Sequence, residues 1–166
     1  MISMLRTCAP LVLALTSTVA ALAACGNAVD ADVIGTTAVT VGADGRPVAV
    51  VRVCTGGIDT LQLLGDRTGL ADDEPNPVLG TWRAATERDG TVELVLGSAD
   101  DGWRGPEEIA LEDDSTYVLS ASDSDQDAEA TQVSFTPAQL ASLAPDQVVV
   151  RDGEVVARAD LDDCAG

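Results

Sequence analysis

Thr36-Thr37-Ala38-Val39-Thr40-Val41-Gly42-Ala43-Asp44-Gly45-Arg46-Pro47-Val48-Ala49-Val50-Val51-Arg52-Val53-Cys54 holds two β-branched, largely apolar runs, 36–41 and 47–54, separated by Gly42-Ala43-Asp44-Gly45. Val and Thr favour extended backbone, and the Gly- and Asp-bearing spacer turns the chain back, so the stretch predicts an antiparallel hairpin. The same pattern recurs downstream. The run 58–64 follows closely, and 78–85 and 91–96 flank Glu87-Arg88-Asp89-Gly90 and are expected to pair with each other. Runs 116–122 and 131–136 bracket the acidic stretch 123–130, while 147–151 and 154–159 flank Asp152-Gly153, the dipeptide of a type I′ turn. With apolar alternation close to period two, the chain reads as all-β, a sandwich of about nine strands.

One segment breaks the pattern. Thr136-Pro137-Ala138-Gln139-Leu140-Ala141-Ser142-Leu143 places a capping threonine before a proline at the first helical position, with Leu140 and Leu143 on one face. Ala144-Pro145-Asp146 ends it. A short connector helix closing one end of the sandwich is expected.

The chain has 166 residues, 28 acidic and 9 basic, for a formal net charge of -19, with no histidine, and every basic residue is arginine. Imidazole bases, imidazole metal ligands, Schiff-base lysines and phosphate-loop lysines are therefore absent from its chemistry. The carboxylate excess would repel a phosphate backbone, so nucleic acid is not an expected partner.

The first residues carry an address. Arg6 and the amino terminus precede the uncharged stretch 11–24, which is apolar with Thr and Ser and too short to span a bilayer, the layout of a signal peptide over 1–24. It ends Leu22-Ala23-Ala24-Cys25-Gly26, which resembles the lipobox of bacterial lipoproteins at each core position. The resemblance implies cleavage before Cys25 and a diacylglycerol group on its thiol. Ordinary secretion, with Ala21-Leu22-Ala23 as an A-x-A cleavage site, is the other reading, and it would leave Cys25 as a free exported thiol. Residues 25–35 are small and polar and read as a lipidated tether, leaving 36–166 as the domain. The chain from Cys25 onward keeps all 28 carboxylates and eight arginines, a formal charge of -20. Attachment to the outer face of the cell membrane would then rest on the acyl chains alone.

The remaining cysteines follow by arithmetic. Cys8 leaves with the signal peptide and Cys25 takes the lipid, so Cys54 and Cys164 are left to pair in an oxidising compartment. Closing so long a loop is worth up to about 4.7 kcal/mol in the chain-entropy model. A redox-active pair would need close spacing of the C-x-x-C kind.

Leu111-Glu112-Asp113-Asp114-Ser115-Thr116-Tyr117-Val118-Leu119-Ser120-Ala121 resembles the strand E to F corner of fibronectin type III and related immunoglobulin-like domains. The resemblance implies a Tyr117 ring packed under the corner with its hydroxyl bonded to backbone upstream, and Trp82 as the buried core tryptophan. The order of elements also resembles small lipoproteins of actinobacteria, and arginine without lysine fits a GC-rich genome.

Three candidate sites stand out. Asp123-Ser124-Asp125-Gln126-Asp127 has the D-x-D-x-D spacing that opens a calcium loop, yet Ala128 replaces the sixth-position glycine and Ser134 the twelfth-position glutamate. It reads as a solvated hairpin tip, with Asp123, Asp125 and Asp127 a weak calcium candidate. Trp103 and Arg104 lie in the insertion 97–108, where Trp and Arg are residue types of binding hot spots. Core cover is the other fate for Trp103, since the chain has only two Trp, one Tyr and one Phe. A carboxylate pair could serve an envelope hydrolase, but nothing singles out two among 28. The expectation is a non-catalytic binding or structural module without cofactor, anchored through Cys25 and meeting an envelope protein or glycan.

Overall fold

A computed structural model describes residues 31–98, 102–125, 127–162 and 164. The chain is mostly β, as expected, with eight strands among the described residues: β1 (Asp32–Val41), β2 (Pro47–Leu64), β3 (Val78–Val95), β4 (Trp103–Arg104), β5 (Tyr117–Ser122), β6 (Ala128–Phe135), β7 (Gln147–Val149) and β8 (Val155–Ala157). One short helix, α1 (Pro137–Ala141), and two 3₁₀ segments, Arg151–Gly153 and Arg158–Asp162, join or follow them. Cys25 and the segment 1–24 lie outside the described residues.

The first hairpin forms as its sequence predicts, with β1 antiparallel to β2 from Gly35 opposite Val53 to Val41 opposite Pro47. Gly45 takes φ 81° in the turn, where a side chain would be strained. β1 begins at Asp32 rather than Thr36, so 32–35 belong to the sheet and not to the expected tether. Its early residues gain a partner in β6, which runs parallel to it, and Ile34 is buried.

The strand count differs from about nine because two pairs of expected strands are single long ones. Runs 47–54 and 58–64 are both β2, and runs 78–85 and 91–96 are both β3. The expected pairing of 78–85 with 91–96 does not form; each run pairs with a different half of β2. Gly56 and Gly90, both at φ 67°, sit where the β2–β3 register shifts, so glycine bends the strands there instead of reversing them. A hairpin within 78–96 would have left half of the β2 edge without partners for its backbone groups. The eighth strand is unforeseen: β4 lies inside the insertion 97–108.

The long strands let the sheet close on itself. β1 pairs with the first half of β2, whose second half pairs with β5; β5 pairs with β6, and β6 returns to β1. The main core fills this circuit with Ile58, Leu61, Leu63, Trp82, Leu119, Val133 and Phe135 among its largest buried side chains. Each such side chain contributes about 1.5–3 kcal/mol by leaving water. A second, smaller cluster of Ala38, Val48, Val50, Val148 and Leu161 lies on the other face of β1 and β2. Burial on both faces explains the unbroken apolar run Val48-Ala49-Val50-Val51.

Two local expectations hold at atomic detail. The Tyr117 hydroxyl accepts a hydrogen bond from the Glu112 backbone N–H at 2.6 Å, upstream as expected. Thr136 Oγ1 accepts from the Gln139 N–H at 3.2 Å while the Gln139 side chain accepts from the Thr136 N–H at 2.9 Å, a reciprocal cap on α1. Leu140 then points into the core. Asp152 and Gly153 take φ 60° and 74°, the left-handed backbone expected of that dipeptide, although 3₁₀ turns shorten the flanking strands to three residues each.

Cys54 and Cys164 are bonded, with Cα atoms 5.5 Å apart, as cysteine arithmetic predicts. The bond ties the end of the chain beside the bend in β2. It thereby holds the segment carrying Leu161 over the second cluster.

Candidate functional site

β4 has only two residues, and strand geometry sends their side chains to opposite faces. Trp103, opposite Ala84, turns inward and is 2% exposed; Arg104, opposite Arg83, turns outward and is exposed. Partner contact by an exposed Trp103 is thus corrected to core cover. The reason is scarcity of large apolar side chains, since Trp82, Phe135 and Tyr117 are likewise buried and the core takes all four aromatics.

The strand is held in place by backbone fitted around Trp82. The indole Nε1 donates to the Pro106 carbonyl at 3.2 Å. A Cβ at Gly105 would stand 2.4 Å from Trp82 Cδ1 and 2.7 Å from the Thr81 carbonyl oxygen, so only glycine passes there. Gly102, at φ 83°, turns the chain into the strand, and the place a Cβ would occupy lies 2.6 Å from Arg88 Nη2.

The outward face is polar. Arg104, Arg83, Thr60, Ser122 and Glu129 stand in register, one on each of β4, β3, β2, β5 and β6. A second row, Thr81, Gln62 and Ser120, runs beside them on β3, β2 and β5. Arg83 Nη1 donates to Thr60 Oγ1 at 3.4 Å, and Thr60 in turn donates to Asp59 Oδ1 at 2.8 Å. The ion pairs found among the described residues are Arg46 with Asp44 and Arg158 with Glu93. Among the described residues, no carboxylate oxygen lies within 4.0 Å of Arg83 or Arg104.

The acidic triplet does other work. Asp123 closes the β5–β6 hairpin, its Oδ1 accepting from the Ala128 N–H at 3.3 Å, and the Asp127 carbonyl accepts from the Asp32 N–H at 2.8 Å. No set of three or more potential metal ligands occurs among the described residues, so Asp123, Asp125 and Asp127 are not brought together on one point.

Among the described residues, the Asp44 and Asp66 carboxyls are shifted downward from the usual 3.8. The Arg46 side chain, hydrogen-bonded to Asp44, holds that carboxyl low, and the Thr68 backbone N–H does the same for Asp66. A glycosidase-type general acid needs the opposite shift, so neither suits that task. An apolar groove of about 470 Å³ lies where Val41, Pro47, Ile109, Leu111, Pro137 and Leu140 meet, without a polar group among these to orient a reacting atom.

Arg83 is the residue sequence reasoning missed. It sits in an ordinary alternating strand, and only the pairing of β3 with β4 sets it beside Arg104. No helix among the described residues is long and apolar enough to cross a membrane. No protein-family model, curated protein or solved structure matches the chain.

Proposed function

We propose that the chain is a lipid-anchored envelope protein, acylated at Cys25 on the extracytoplasmic face of a bacterial cell membrane, whose domain binds or spaces partners and does not catalyse. The observation that carries this reading is the lipobox Leu22-Ala23-Ala24-Cys25 behind an uncharged signal segment. The Cys54–Cys164 bond supports it, because disulfides persist in oxidising compartments. With Cys54 and Cys164 bonded to each other, Cys25 is the cysteine that remains after the proposed signal peptide to take the lipid. We read the fold as an immunoglobulin-like or fibronectin-like sandwich; the Tyr117 hydroxyl bond to Glu112 and the fully buried Trp82 support that reading.

Detergent phase partitioning of cells carrying the natural chain and Cys25→Ala tests the anchor. The natural chain should enter the detergent phase at mature size, and Cys25→Ala should appear in the medium or stay unprocessed. A Cys25→Ala protein that is membrane-bound at mature size overturns the reading.

A further inference from the structure

We propose that Arg83 and Arg104 form a binding site for a phosphate group. The inference deepens the binding-module reading, on which it rests, by naming a ligand class; it does not depend on acylation.

The two arginines are direct partners across the β3–β4 ladder, so their side chains leave the sheet on the same face. Side chains so placed start about 4.5–5.5 Å apart at Cβ, and like charges there repel. The chain is rich in carboxylates with which to neutralise them, yet among the described residues none approaches either guanidinium within 4.0 Å. Elsewhere the same chain pairs Arg46 with Asp44 and Arg158 with Glu93. Arg52, Arg67 and Arg151 likewise have no ion pair among the described residues; what sets Arg83 and Arg104 apart is that the two cations adjoin, both facing water, in a protein of formal charge -19.

The donors remain available. A guanidinium carries five N–H groups in a planar fork. Arg83 commits one to Thr60, which orients it along the row, and Arg104 commits none among the described residues. An anion between the forks relieves the repulsion and accepts from both. A carboxylate fills one fork with its two coplanar oxygens, whereas the tetrahedral oxygens of phosphate diverge toward two. The neighbouring Thr81, Gln62 and Ser120 offer hydroxyl and amide groups for whatever the phosphate is attached to. The same phosphate chemistry could reach the site as free phosphate or as a phospholipid headgroup.

The full chain as its host exports it, kept in neutral detergent, is titrated with inorganic phosphate and, separately, with glycerophosphoglycerol, the deacylated headgroup of phosphatidylglycerol. Arginine Nε–Hε resonances report binding, with chloride and acetate at matched ionic strength as controls. Saturable shifts at two arginine signals are expected, with affinity falling about tenfold in Arg83→Gln or Arg104→Gln and unchanged in Arg46→Gln. Saturation by both probes supports a site open to lipid headgroups; saturation by inorganic phosphate alone supports a free-anion site. The two glutamine variants should melt no lower than the natural protein without ligand, since each removes a repulsion. Equal responses to acetate and phosphate, or an unchanged response in Arg104→Gln, overturn the proposal. Neither readout involves membrane attachment, so its failure and failure of the anchor reading are separate results.

Discussion

Trp103 and its neighbour Arg104 show how one peptide unit divides structure from surface. Because the indole is 2% exposed in a core short of aromatics, Trp103→Ala should cost about 3–5 kcal/mol by chemical denaturation, while Arg104→Gln should leave the midpoint nearly unchanged. A small loss in Trp103→Ala would mean that the indole does not fill the core. The sequence around 103 holds both residue types of a hot spot but no trace of which side each faces, since that depends on a ladder with β3 formed some twenty residues earlier in the chain. Thr37 is the converse case, a polar residue in an apolar place. It is fully buried, and its Oγ1 has no hydrogen-bond partner among the described residues. Thr37→Val keeps the shape and removes an unsatisfied hydroxyl, so a gain of about 1 kcal/mol is expected in the same assay. A loss would show that the hydroxyl is satisfied, by a buried water for example.

At the level of elements, local grammar was legible and long-range pairing was not. The first hairpin, the Thr136 cap and the Tyr117 hydroxyl bond each depend on residues close in sequence; the first two follow from those residues, and the third from the resemblance of its corner. The continuity of β2 and β3 does not. Glycine with φ 67° serves a turn or a bulge equally well, and at Gly56 and Gly90 the choice is made by partners far along the chain. β4 was invisible for a related reason: two residues carry no periodicity. Its position depends on Gly105, whose missing side chain lets the backbone lie on the Trp82 ring. Gly105→Ala should therefore destabilise by about 1–3 kcal/mol and shift tryptophan fluorescence as Trp82 is displaced. An unaltered spectrum with unaltered stability would show that the 103–106 strap is not tightly seated.

For the whole molecule, the all-β class and the Cys54–Cys164 bond follow from patterning and cysteine arithmetic, whereas the circuit β1–β2–β5–β6 follows from neither. Parallel pairing of β6 with β1 joins segments about a hundred residues apart, and no turn chemistry records it. The bond stabilises chiefly by restricting the unfolded chain, so reduction should lower the melting temperature; the chain-entropy model puts the loss at no more than about 4.7 kcal/mol. Hydrogen exchange should rise first around Leu161, on the segment the bond secures, and at Val148, which shares the cluster it covers. Uniform exchange across the sheet after reduction would show that this cover opens only with the rest. The same bond joins positions 110 apart, and the exposed connection 65–77 lies between them. A protease that cuts once in that connection separates no fragment: the two pieces stay covalently joined through sulfur, the mass rises only by the one water of hydrolysis, and two shorter chains appear only after a reductant is added.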